Sequence, residues 1–425
     1  MSAPGTVEPV DASVKVAGRE RTARRARAAV FAVFAVNGFL AALWVVHIPA
    51  ITDRTDVSHA TLGLLILVMA GSGIIGMQAA GPLADRFGSR VLVGAAVTWL
   101  AVAVLGPAFA TGPIQLAVAL AIFGFGNGAL DVSMNAQAVE VERVYGRPIM
   151  AAFHGLFSCG GLAGSLVGAA AMHANWDIRT TFAAGAVTAA VAMVVAVPNL
   201  LTRSAATSRA ETLPDPPAAP RDAGGPVPYR VRMWLPRNVL ALGAIAFALL
   251  MAEGVANDWS ALQTHEHLRV SDATAALSFG AFSIAMTIGR FGADRVSGRF
   301  GRIAVVRWGS VLGAAGLAVI MASAWLPLSL AGWVLAGLGL AGGVPQIFTA
   351  AGNLGTATAA TDMSKVFGLG YLGFLAGPSI IGWLAELTSL TTAFIFPLVA
   401  VLLCAWFAGT VGNGPPIINL ENKNS

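Results

Sequence analysis

The 425-residue chain is poor in what soluble enzymes use. Charged residues make up 11 % of it, about half the share of an ordinary soluble domain. There are two cysteines, Cys159 and Cys404, both inside apolar runs. They supply no disulfide framework, CxxC pair or metal spacing, which excludes thiol redox chemistry. No P-loop occurs in the sequence, so nucleotide hydrolysis has no phosphate cradle. GxSxG, HExxH and cysteine–histidine arrangements are missing too, so the chain is expected to be no enzyme and to need no cofactor or metal.

What is present is apolar. Hydrophobic residues reach 56 %, with 49 glycines, and the mean hydropathy is +0.73. The net charge of +5 would suit nucleic acid. The basic residues instead sit in short loops between apolar runs, so the expected partner is a lipid bilayer and not nucleic acid.

Twelve such runs follow one another, near 29–51, 60–82, 91–110, 113–138, 149–172, 179–201, 238–262, 273–293, 303–325, 328–350, 364–386 and 390–411. Each is long enough to cross a hydrocarbon core. The first follows a basic tail, 1–28, but is too long for a signal-peptide core and lacks a small-residue cleavage site, so it reads as an uncleaved span. A segment rich in Pro, Ala and charge, 202–237, separates two sets of six and reads as a linker. The expected fold is an all-α membrane protein with twelve transmembrane helices. It comprises a six-helix bundle at 29–201, another at 238–411 and a short tail at 412–425.

Charge sets the orientation. All but four of the 26 lysines and arginines fall on the side of the termini and linker. Arg54, Arg179 and Arg269 lie on the other side, and Arg290 lies within a span. Such an excess places both termini and the linker in the cytoplasm.

The halves repeat one another at a constant offset of 213 positions. Val57, Ser58, Ala60 and Thr61 recur as Val270, Ser271, Ala273 and Thr274. Arg86-Phe87-Gly88 recurs as Arg299-Phe300-Gly301, and Gly124 and Gly126 as Gly337 and Gly339. Gly160 and Gly164 return as Gly373 and Gly377. A duplicated six-helix unit is a transporter signature, with the solute site between the repeats.

Twelve spans, a central linker and the loop Gly81-Pro-Leu83-Ala-Asp85-Arg86-Phe-Gly88-Ser-Arg90 resemble the major facilitator superfamily over nearly the whole chain. The loop is similar to that family's G-x-L-x-D-R-x-G-R-R signature, with Ser89 replacing a basic residue. The stretches around Asn127-Gly-Ala-Leu-Asp131 and Asn257-Asp258-Trp259 resemble a bacterial subfamily near the fucose-permease-like branch. The resemblance implies a multi-pass protein of the bacterial cytoplasmic membrane. It also implies a gating role for the loop.

The loop has a physical rationale of its own. Gly88 permits a tight turn. Asp85 suits the N-terminus of a neighbouring helix, and Arg86 and Arg90 suit carboxylates such as Glu140 or Glu142. The other reading is a topogenic basic loop. In the second half Gly298 stands where Asp85 would recur. Asp294 lies a turn earlier, beside Arg290 and Arg295, and an i−4 pair with Arg290 is expected there.

The family arrangement implies a cavity lined by spans 1, 4, 7 and 10. Those spans hold the polar residues: Asn37, Trp44 and His47; Asn127, Asp131 and Asn135; Glu253, Asn257, Asp258 and Trp259; Gln346, Thr349 and Asn353. Asn127, Asp131 and Asn135 are four apart and share one helix face. Asp131 and Glu253 lie ~10–15 Å inside their spans, where a carboxylate is protonated or bonded, as a proton carrier or as a buried structural pair. Asn37 equally suits a helix–helix bridge. Trp44, His47, Asp258 and Trp259 equally suit an interfacial belt, and His154 in span 5 is open between structure and function.

These residues point to a secondary transporter working by alternating access. It would move a small polar solute with protons, as a symporter does. Substrate contacts are expected from Asn37, Trp44, Asn127, Asn135, Asn257, Trp259 and Gln346, and proton coupling from Asp131 and Glu253. Gating is expected from Asp85, Arg86, Arg90, Asp294, Arg295 and Arg299. Proton-driven efflux of amphipathic compounds and a transporter-like solute sensor are the alternatives. Efflux is weakened because the family's G-x-x-x-G-P pattern falls in span 11, at Gly373 to Pro378, and not in span 5.

Overall fold

The computed structural model describes residues 10–202, 236–355 and 358–412. Most of the linker, 203–235, and the expected tails up to residue 9 and from 413 lie outside the described residues. The described residues form helices joined by short turns and contain no strand. In chain order the helices are α1 (Val10–Val46), α2 (Ile48–Thr55), α3 (His59–Phe87), α4 (Ser89–Ala103), α5 (Leu105–Phe109), α6 (Pro113–Tyr145), α7 (Met150–His173) and α8 (Ile178–Ala196). Past the linker come α9 (Arg237–Leu268), α10 (Asp272–Phe300), α11 (Arg302–Ala322), α12 (Leu326–Leu340), α13 (Gly343–Gly352), α14 (Ala359–Leu387), α15 (Leu390–Ala393) and α16 (Ile395–Phe407). The expected polar tail is helical from Val10 and runs without a break into the first apolar run.

Among the described residues, eleven helical segments are long and apolar enough to cross a membrane. The 29-residue α10 carries Arg290, Asp294, Arg295 and Arg299 and is not among them. Four expected runs are broken. The first divides into α1 and α2 at His47 and the twelfth into α15 and α16 at Phe394. The third divides into α4 and α5 at Val104, and the tenth into α12 and α13 at Ala341–Gly342. In the third and tenth a proline sits four residues after the carbonyl released, Pro107 after Ala103 and Pro345 after Ala341, and proline has no N–H to give it.

The repeat is written into the backbone. Asp56 and Arg269 both take left-handed φ, 52° and 53°. Two residues on, Ser58 and Ser271 cap α3 and α10 by accepting from the N–H of Thr61 and Thr274, at 3.2 and 3.3 Å. Gly88 and Gly301 turn the chain at φ 90° and 81°, a conformation with little cost for glycine.

Packing follows the glycines. A Cβ at Gly124 would collide with the Met69 carbonyl of α3, and one at Gly337 with the Phe282 carbonyl of α10. Gly160 faces the Ala35 carbonyl of α1 in the same way, and Gly373 the Phe247 carbonyl of α9. Small residues let these backbones touch where lipid tails give no hydrophobic drive to associate. The outer helices show the complementary pattern, with Val194 75 % and Trp406 80 % exposed, an apolar surface that suits acyl chains. Between the halves, α3 packs on α14 and α7 on α10.

Candidate functional site

The polar face of α6 points into the protein. Gly112 and Pro113 start this helix and Gly146, at φ 73°, stops it, so 33 unbroken residues hold Asn127, Asp131 and Asn135 in register. Asn135 is fully buried. Its Nδ2 donates to the Asp131 carbonyl at 2.9 Å and to Asp131 Oδ1 at 3.2 Å. His154 of α7 places Nε2 3.2 Å from Asn135 Oδ1; with Oδ1 as acceptor, the imidazole donates. Phe34 and Phe348 pack against that ring, with centroids 5.3 and 5.8 Å away. Asn127 Oδ1 is buried without a hydrogen-bond partner.

A second cluster meets the first on α7. Glu253, midway along α9, accepts from Arg290 Nη2 of α10 at 3.1 Å. Arg290 Nη1 donates to Ser158 Oγ at 2.7 Å. Ser158 follows His154 by one turn and donates to its carbonyl at 3.4 Å. Thus α7 joins an Asp131–Asn135–His154 chain to a Ser158–Arg290–Glu253 chain. The expected Arg290–Asp294 pair gives way to this arrangement, because the Arg290 guanidinium extends to α9 and α7 and Asp294 is taken up elsewhere.

Other expected site residues have separate surroundings. Asn37 is buried, with Nδ2 3.8 Å from Met134 Sδ, and Trp44 is 3 % exposed within the core. Trp259 Nε1 donates to the Pro378 carbonyl of α14 at 3.2 Å. Asn257 is half-buried. Gln346 Oε1 accepts from Ser297 Oγ at 2.9 Å, which ties α13 to α10, while its buried Nε2 has no partner.

The end of the bundle at which α3, α6 and α10 finish is tied across the halves. Asp85 accepts from the N–H of Ala360 and of Thr361 at 3.0 and 2.9 Å, and from Thr361 Oγ1 at 2.6 Å. These groups open α14. Asp294 accepts from the N–H of Ala151 and Ala152 at 2.9 and 2.7 Å, which open α7. Glu142 Oε2 accepts from Ile149 and Met150, both at 2.9 Å. Two carboxylates therefore satisfy four consecutive N–H groups at the positive end of α7.

Arg143 Nε donates to Asn353 Oδ1 at 2.5 Å, and Nη2 to the Gly352 carbonyl, so a cation covers the C-terminus of α13. Gln78 Nε2 donates to the Ser364 carbonyl at 2.8 Å. Glu140 accepts from Ser89 Oγ at 2.9 Å, and that hydroxyl lies 2.6 Å from Gln137 Oε1. Ser89 is thus buried where the loop pattern has a basic residue. Arg86 lies over the Phe87 ring at 5.1 Å and Arg299 over Phe300 at 5.3 Å; Arg90 is half-buried and Arg295 exposed.

Ser158, Arg143 and the role of Arg290 escaped the reading of the sequence. Arg290 carried a signal, as the one lysine or arginine that the loop count assigns to neither side of the membrane. Ser158 carried none, because a serine in a glycine-rich helix face is ordinary.

Comparison with known proteins agrees with this architecture. Residues 29–262 match the model of the Major Facilitator Superfamily. An uncharacterised MFS-type transporter of Yersinia pestis is 34 % identical over 372 residues, 87 % of this chain and 91 % of its own. The crystal structure of the E. coli fucose:proton symporter aligns with a TM-score of 0.69 at 14 % identity, over 90 % of this chain and 98 % of that one. The human organic anion transporter MFSD10 aligns at 0.70 and 16 %, over 91 % and 99 %. The chain is a multi-pass membrane transporter and no enzyme, and it belongs to the Major Facilitator Superfamily.

Proposed function

We propose that the protein is a proton-coupled secondary transporter that moves a small polar solute across the cytoplasmic membrane by alternating access. In this reading α10 is a twelfth span, tolerated in the bilayer because its charges face protein. Two six-helix bundles, joined by the linker, then rock around a central site. Both termini are cytoplasmic by the excess of Lys and Arg on their side.

The observation that carries the reading is the meeting of two mid-depth carboxylates on α7. Asp131 reaches it through Asn135 and His154, and Glu253 through Arg290 and Ser158. A carboxylate at that depth exchanges a proton when its partners change, and here the two chains join across the halves at the Arg290–Ser158 bond. Asp85, Asp294 and Arg143 act as the closure at the cytoplasmic end, each crossing to the start or end of a helix in the other half. Rocking would break these bonds and rearrange the α7 contacts together. Two deep carboxylates with amide and imidazole neighbours favour a polar solute over an amphipathic one.

Reconstituted vesicles test the reading. Solute accumulation should require an inward proton gradient and should fall to passive equilibration with a protonophore, or with Asp131→Asn plus Glu253→Gln. Accumulation indifferent to both would overturn the coupling.

A further inference from the structure

Arg290 is a fixed cation ten residues from the end of α10, or ~15 Å along the helix. Stability does not explain it. A buried ion pair generally adds little over an apolar pair of the same size. Its bonding is also incomplete. A guanidinium presents five N–H donors in a planar fork. Here Nη1 serves Ser158, Nη2 serves a single oxygen of Glu253, and Nε is buried with no acceptor. The Nε–Nη2 edge is the one that holds a carboxylate side by side, and Glu253 meets it with one bond at 3.1 Å.

The charges around Arg290 are few. Glu253 faces it from α9, and His154 is within electrostatic reach from α7. Asp294, a turn further along α10, is held by the α7 N-terminus. The packed helix α12 contains no ionisable residue, and α11 brings Arg302 and Arg307 near the latched end.

We infer that Arg290 is the anchor for a carboxylate-bearing solute, and that Glu253 is the internal counter-ion which that solute displaces. The inference rests on the proposed proton coupling at Glu253 and adds the solute class. The solute enters as R–COO⁻ and takes the Nε–Nη2 edge in two parallel hydrogen bonds. Arg290 stays charged throughout. Glu253, left without its cation in a low-dielectric site, takes one proton from water on the open side. One O–H bond forms on Glu253 as one O–H bond of a hydronium ion breaks, and no other covalent bond changes. Anion and proton then cross together without net charge.

The test uses purified full-length protein in detergent and matched pairs of probes: glucuronate with glucose, gluconate with sorbitol, and nicotinate with nicotinamide. At least one acid should raise the melting temperature while its uncharged partner does not. Arg290→Lys, which keeps the charge but loses the fork, should weaken that acid about tenfold or more. Glu253→Gln should bind it at least as tightly as wild type. Proton uptake on binding, read with a pH dye in weak buffer, should fall from about one per solute to none in Glu253→Gln.

Equal stabilisation by the neutral partners, no stabilisation by any acid, or full affinity in Arg290→Lys overturns the inference. Proton-driven uptake of a neutral sugar would also remove the anion site and leave the transporter reading standing. Acid uptake unchanged by a protonophore and by Glu253→Gln would remove the coupling and leave the anion site.

Discussion

Gly124 of α6 and Gly337 of α12 stand 213 residues apart and meet the same neighbour in each half, a backbone carbonyl of the second long helix. Seven residues further on, the halves part. Asp131 of α6 faces its polar chain, whereas Val344 at the same offset sits in the broken segment α13. Glu253 of α9 corresponds to Leu40, fully buried in α1. Contacts between backbones repeat, because any helix pair at that distance needs the same small residue. The ionisable groups do not repeat: Asp131 aligns with Val344, and Glu253 with Leu40.

Breaking the shared part should have the largest effect. Gly124→Leu and Gly337→Leu each push a side chain into a carbonyl that cannot move aside. Each should cost more than the ~1–3 kcal/mol of ordinary overpacking. The yield of monodisperse protein should collapse equally for both, and a large difference between them would show that the contacts are unequal.

The unshared part comes next. Asp131→Asn or Glu253→Gln should lower proton-driven accumulation about tenfold or more while the protein stays folded, as expected of a removed general acid–base group. Val344→Ala, at the position aligned with Asp131, should leave the coupling ratio unchanged. Vesicle uptake with and without a proton gradient separates these outcomes.

The latches are intermediate. Asp85→Asn and Asp294→Asn each weaken charge-assisted bonds to N–H groups, a loss of ~1–3 kcal/mol. A cysteine placed at Ser364, which is 1 % exposed in the latched protein, should then label about tenfold faster. Moving the acid to the aligned position with Asp294→Gly and Gly298→Asp should not restore slow labelling. The helix that Asp294 serves begins at Met150, four residues later than the aligned counterpart of Ala359. Least of all, Ser58→Ala and Ser271→Ala should each cost ~1 kcal/mol, seen as equal small falls in melting temperature.

Much of the fold was legible, because apolar runs and loop charge report directly on the bilayer. The destination of Asp85, a helix N-terminus, also followed from charge and dipole alone. Asp294 shows the limit. At the constant offset its slot holds Gly298, so the local pattern pairs Asp294 with Arg290. In the folded chain the acid sits one turn deeper and α7 starts one turn deeper, and the two shifts cancel. That cancellation depends on where a helix more than 140 positions away begins, which no local pattern encodes. Ser158 was hidden for a similar reason, since its partner Arg290 lies in the other half.

In both acidic latches the partner is backbone, apart from the Thr361 hydroxyl. This has a genetic consequence. A defect at Asp85 or Asp294 offers no opposite charge to swap, so reciprocal charge-exchange revertants should not arise at the starts of α14 or α7. Compensating changes should fall where they alter how readily the bundles part. On the receiving side, a small residue such as glycine or serine at positions 151, 152 and 360 should keep the bond. The N–H remains, and the buried Ala151 and Ala360 are not overpacked. Proline should not keep it, since it deletes the N–H that the acid holds.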